Sequence, residues 1–265
     1  MIEIFAFRRS SPFMQGVTMR LQLSAIAFVA VVLNTCGPAE LREEVVETHP
    51  DGSKKKVIYH YGQETKPRRV TIYFSNGNIQ SERFFKDGKE DSVMTIYYAT
   101  GRKYRRVAYV RGEKNGQETT WYKNGQVKSE ATYVNGKPTG KVVAYYKDGT
   151  KKSEVTYKDG QKHGTEMHWY PNGTPEMQVE YTSGSRNGLY KEWFENGNPR
   201  KKERYVNDVL NGGYTTYHEN GMKQEHGIYE NGRLEGVKKE WNRSGRLTAK
   251  ATYVKGELTA GTHFD

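Results

Sequence analysis

Seven histidines and one cysteine are the groups in this 265-residue chain best suited to proton transfer, metal ligation or nucleophilic attack. Their spacing argues against all three. His49, His60, His163, His168, His218, His226 and His263 include no pair four residues apart with a carboxylate beside it, the arrangement that sets two imidazoles on one face of a zinc-binding helix. His163 stands in a turn column filled elsewhere by Asn115, Asn187 and Asn211, and His218 in a column of tyrosines, so both read as structural. The lone Cys36 excludes an intramolecular disulfide and a cysteine-based metal site. The serines have no G-x-S-x-G context, and the glycines precede strands rather than helices, so no nucleophile elbow or phosphate loop is present. The chain reads as a non-enzyme without metal or cofactor.

What remains is the chemistry of rings. One column runs through Tyr73, Tyr97, Trp121, Tyr145, Trp169, Trp193, Tyr217 and Trp241, and a second through Phe85, Tyr109, Tyr133, Tyr157, Tyr181, Tyr205, Tyr229 and Tyr253, each at a step of 24 residues. These columns are expected to stack into a ladder that replaces a globular core. Beside the first column lie Tyr98, Tyr122, Tyr146 and Tyr170, the candidates for a binding face if they are exposed, because exposed ring stripes mark interaction surfaces.

The elements that must position these rings are set by glycine. A turn dipeptide recurs with its glycine at Gly77, Gly101, Gly125, Gly149, Gly173, Gly197, Gly221 and Gly245. A second turn follows 11 residues later, at Gly88, Gly112, Gly136, Gly160, Gly184, Gly232 and Gly256, with Asp208 breaking the column; a third glycine column begins at Gly116. Asn-Gly and Asp-Gly suit hairpin tips that need positive φ, and the short runs between them are rich in Thr, Val and aromatics. Each unit is therefore two antiparallel strands, with no room for a crossover helix, and the whole an all-β, open-ended meander of about nine 24-residue hairpins. Loop length decides the faces. A two-residue Asn124-Gly125 loop places Tyr122 with Val127, Ala131 and Tyr133; a three-residue loop places Trp121 with Ala131 and Tyr133 instead, and the bulkier, more uniform Trp121 column favours the second.

The N-terminus obeys other rules. Arg20 precedes an apolar run, Leu21 to Leu33, too short to span a bilayer but suited to a secretory signal, so residues 1–35 read as a signal peptide, with Met19 as an alternative start to Met1. Leu33 to Cys36 resembles the lipobox of bacterial lipoproteins, which implies lipid attachment at Cys36 and a membrane anchor through the acyl chain. Residues 36–47 read as a tether, 48–70 as a degenerate capping repeat around Asp51-Gly52, 71–261 as eight regular repeats and 262–265 as a frayed end.

Apolar residues make up 34% and charged residues 28% of the chain, with a mean hydropathy of −0.93, a balance that would fit disorder. The 12% aromatic content held in strict register decides against it. Net charge is +11; without residues 1–35 it is +9, from 39 basic and 30 acidic residues. Lysines and glutamates interleave, as in Lys128, Glu130, Lys152 and Glu154, so the excess reads as a solvated sheet face and not as a nucleic-acid patch.

The pattern GxxxxWYxNGxxxxxxxYxNGK, clean from Thr71 to Gly261, resembles the MORN repeat, in particular the bacterial variant repeats of antitoxin-like proteins labelled the YwqK family. The resemblance implies an elongated hairpin meander used for binding or scaffolding; an antitoxin activity follows from the label alone and not from any residue. A second likeness, through Trp121, Trp169, Trp193 and Trp241, is to choline-binding repeats of cell-wall proteins, which hold a quaternary amine between rings. Together these readings give an exported protein of the bacterial envelope, at the outer membrane or cell surface, binding another envelope protein, or alternatively a wall glycan or teichoic-type polymer through its rings.

Overall fold

The computed structural model describes residues 40–264. The proposed signal peptide, Cys36 and the first part of the tether lie outside them. The described residues form 21 β-strands in one antiparallel sheet, without a helix, each hairpin pairing with the next along the chain; the two-residue strands Lys89–Glu90 and Val209–Leu210 pair only with the strand before them. The all-β hairpin meander expected from the 24-residue period is what the chain adopts.

The two turn columns are different turns. Lys123-Asn124-Gly125 is a three-residue loop, closed by Tyr122 N–H to Gln126 O at 2.9 Å and Gly125 N–H to Tyr122 O at 2.9 Å, with positive φ at Gly125 (95°) but not at Asn124. This is the type I turn with a following left-handed glycine. The second column holds the two-residue turn with both central residues at positive φ: Asn135 (49°) and Gly136 (76°) connect Val134 to Lys137. Asp208 takes the glycine place at φ 68°.

The three-residue loop is right, yet the face assignment drawn from it is wrong. The strand Glu113–Trp121 pairs with Val127–Val134 so that Trp121 opposes Val127 while Thr120 opposes Ser129; Lys128 is left over. This bulge shifts register by one and recurs at every such hairpin, for example between Ile96 and Tyr97 or Glu192 and Trp193. A one-residue shift exchanges faces. The Trp121 column therefore lies with Thr119 and Glu130 on one face, and the Tyr133 column with Ala131, Glu118 and Thr120 on the other. The two aromatic columns do not form one ladder.

What is buried instead is a row between them on the Tyr133 face. Cross-strand pairs run Met94–Val107–Glu118–Ala131, then Val142–Val155–Glu166–Val179–Tyr190–Glu203. Val107 is fully buried, Val179 2% exposed and Glu203 4% exposed, so a single sheet creates an interior along its midline. The third glycine column pairs with the Tyr133 column. Gly116, Gly140, Gly164, Gly188, Gly212 and Gly236 directly oppose Tyr133, Tyr157, Tyr181, Tyr205, Tyr229 and Tyr253. All six have positive φ, from 67° at Gly140 to 131° at Gly188, so the backbone itself calls for glycine there.

Both ends depart from expectation. Much of the supposed tether is the strand Leu41–Thr48, paired with Lys54–Tyr61 across the turn at Asp51-Gly52. It carries no aromatic signal; its register is held by charge, with Glu43 against Lys54 and Glu47 3.0 Å from Lys55. The C-terminal strand Glu257–His263 runs to Thr262 opposite Lys250 and His263 opposite Ala249, where a frayed end was expected. Both outer strands are exposed throughout.

Candidate functional site

The Tyr98, Tyr122, Tyr146 and Tyr170 column lines one margin of the sheet, and none of the four is exposed. Each hydroxyl donates to a main-chain carbonyl one repeat on: Tyr98 to Trp121 O (2.8 Å), Tyr122 to Tyr145 O (2.7 Å), Tyr146 to Trp169 O (2.7 Å) and Tyr170 to Trp193 O (2.9 Å). Burial raises Tyr98, Tyr146 and Tyr170 above the ordinary tyrosine pKa. The hydroxyls are thus inter-repeat staples and only the ring faces remain for contact. His218 makes the same bond from Nε2 to Trp241 O at 2.9 Å, and His49 does so to Tyr73 O at 3.1 Å. Histidine can therefore replace tyrosine as the donor, while Phe74 and Phe194 hold the same place in other repeats without one.

Between successive rings stand the bulge residues. Lys128 and Lys152 place Nζ 5.8 and 5.5 Å from the Tyr122 and Tyr146 rings, and Tyr104 packs edge-on to Tyr98 at 5.2 Å. Further along, a cavity of about 160 Å³ is lined by His168, Tyr170, Glu176, Met177, Glu192, Trp193 and Arg200. That is well below the roughly 300–1,000 Å³ of a small-molecule site.

Histidine–carboxylate pairs do occur, which the linear spacing had not revealed. His168 Nε2 lies 2.9 Å from Glu166 Oε1, whose other oxygen is 2.6 Å from Lys162 Nζ; these hydrogen bonds hold the Glu166 carboxyl at about 2 against the opposing push of burial. His60, 5% exposed, faces the Lys66 carbonyl through Nδ1 at 3.2 Å and Glu44 through Nε2 at 3.3 Å. His60 ties its strand to the neighbouring strand and the following loop, His168 and Glu166 share the strand Gln161–Trp169, and neither pair has a serine, threonine or cysteine among those contacts to activate. Among the described residues no three His, Cys, Asp or Glu side chains are grouped to hold a metal.

Fold and surface together define a repeat protein of stacked two-strand units, a class in which extended faces rather than clefts make contact. The MORN repeat variant model matches it at residues 69–87, 114–135, 138–159, 162–182 and 186–207. The match at 114–135 spans two strands and the three-residue turn between them, and the same geometry continues unmatched through the hairpin of Gly212–Tyr217 and Lys223–Glu230. No curated protein matches the chain. Crystal structures of TcdB2-TccC3-Cdc42 and of TcdB2-TccC3 each show a likeness at 12% identity and a TM-score of 0.18, over 80% of this chain and 14% of theirs. A likeness that low carries no argument.

Proposed function

We propose that this chain is an exported, non-enzymatic repeat protein, anchored to the bacterial envelope through Cys36, that holds another envelope protein against the margin built from Tyr98, Tyr122, Tyr146 and Tyr170. The observation that supports the binding surface is its repetition: half-buried rings alternate with Tyr104, Lys128, Lys152, Glu176 and Arg200 at one step per unit. Such a row offers flat apolar area interrupted by long charged side chains, the composition of a protein-binding strip. Export and anchoring rest on the apolar run and Leu33 to Cys36 alone.

Affinity capture from envelope extracts tests the binding part, with the mature chain as bait beside Lys128→Glu/Lys152→Glu. One partner retained by the first and lost from the second is expected; equal retention would place the contact elsewhere. Radiolabelled palmitate should enter the natural chain and not Cys36→Ser, and incorporation into both would remove the anchor from the reading.

A further inference from the structure

The other face of the sheet carries an arrangement that costs stability and that the proposed margin does not use. Following cross-strand pairs, Gln178 opposes Lys191, Lys191 opposes Lys202, Lys202 opposes Thr215, Thr215 opposes His226, His226 opposes Lys239, and Lys239 opposes Lys250. Five of the six positions from Lys191 to Lys250 are thus basic. Like charges directly opposed are destabilising, and here two such lysine pairs occur in one row. Among the described residues none of these four ammonium groups has a carboxylate partner. On the opposite face of the same strands Lys201 reaches Glu203 at 2.8 Å, and Lys238 reaches Glu225 and Glu240 at 3.1 Å. Edge protection does not explain the row either, because every strand in it is paired on both sides.

Rings flank the cations. Trp193 and Trp241 stand two residues from Lys191 and Lys239, and Tyr217 two from Thr215, so all three share this face; Tyr145 shows the orientation of the column, its hydroxyl reaching Glu130 at 3.1 Å. Ile228 (48% exposed) and Val237 (45%) border the other side. The His226 Nδ1 faces the Tyr214 carbonyl at 2.8 Å, leaving Nε2 open.

We propose that this face, from Lys191 to Lys250, binds an extended anionic glycan, its acid groups on the lysine row and its sugar rings against Trp193, Tyr217 and Trp241. The row covers five strand steps, about 24 Å, with a ring at every second strand, about 10 Å apart. The basic groups stand on all but one of six successive strands, about 5 Å apart, which suits a chain with an acid group on every sugar, whereas consecutive nucleic-acid bases would need rings in closer succession. A planar membrane fits less well. At the ordinary twist of about 20–25° per strand pair the face turns through about 100–125° over the row, so a bilayer could meet only part of it. Lysine and histidine, unlike arginine, are single-point donors that tolerate variable acid geometry.

The purified full chain is titrated, by tryptophan fluorescence, with oligogalacturonates of graded length and with a glycerol-phosphate polymer, which separates carboxylate from phosphodiester charge. Affinity should tighten with length until the ligand spans about 24 Å and then level off. Lys191→Gln/Lys202→Gln/Lys239→Gln/Lys250→Gln should weaken binding at least about tenfold, the effect of four exposed ion contacts. Its melting temperature should not fall, because like-charge pairs are removed. Lys128→Gln/Lys152→Gln, on the protein-binding margin, should leave affinity within about twofold. Equal weakening by both variants, affinity indifferent to length, or tighter binding of single-stranded DNA or phosphatidylglycerol vesicles would overturn the assignment. The assay needs neither the anchor nor the captured partner, so its failure leaves the protein-binding reading untouched.

Discussion

Asn-Gly recurs at the three-residue turns although that turn does not require asparagine at positive φ, and the reason is a bond between repeats. Asn124 Oδ1 accepts from Gln126 N–H at 3.1 Å while its Nδ2 donates to Lys147 O at 2.9 Å; Asn172, Asn196 and Asn220 donate to Glu195, Glu219 and Arg243 carbonyls in the same way. Asp148 accepts from Thr150 but has no hydrogen to give. Asp148→Asn should therefore gain one inter-repeat bond, to the Pro171 carbonyl, and stabilise by about 0.5–1 kcal/mol; a urea midpoint that does not rise would refute it. Glu166 offers a test of the opposite kind. Its carboxyl is held at about 2 in the folded chain against an ordinary 4.5, so its contribution is complete above pH 4.5 and lost as pH falls towards 2. Between those limits the natural protein should lose about 2 kcal/mol more than Glu166→Gln, read from denaturant midpoints at pH 6 and pH 3.

At the level of strand and turn, the decisive device is the pairing of two unlike hairpin loops around each strand. The two-residue turns place Arg111 (φ 52°) in a site that Asn135, Asn207 and Asn231 occupy in other repeats. Asparagine accepts the left-handed region more readily than arginine. Arg111→Asn should stabilise by about 0.5 kcal/mol, and a fall in thermal midpoint would contradict the turn geometry. The midline row accepts Glu118 and Glu166 where Met94 and Val142 stand in the neighbouring units. Glu118 shows how: Arg105 and Lys114 meet it at 2.6 and 2.7 Å. Those charges were visible in the sequence, but their burial was not, because no helix or second sheet announced a core.

For the molecule as a whole, each strand meets only its two neighbours, so stability should be close to a sum of unit and interface terms. Deleting residues 123–146 removes one full period and joins equivalent positions. The product should keep a cooperative melt, with a midpoint lowered by only a few degrees. Deleting residues 123–134 removes half a period, substitutes one loop type for the other and should abolish cooperative folding. If both deletions behave alike, the repeat is not the structural unit.

The chain's local chemistry determined the strand–turn alternation, the 24-residue period and the all-β class, since glycine and asparagine at a tip and β-formers between act over a few residues. It also pointed to the rings that matter, though not to their partners. Only the tertiary structure decided which face each ring occupies, because one unpaired residue per hairpin, Lys128 and its equivalents, exchanges the faces while leaving the sequence period intact. It alone decided that the margin tyrosines spend their hydroxyls on the next repeat, and that Leu41–Thr48 joins the sheet. Both depend on backbone groups brought together from other strands or repeats, and a repeat pattern read along one strand carries no signal of them.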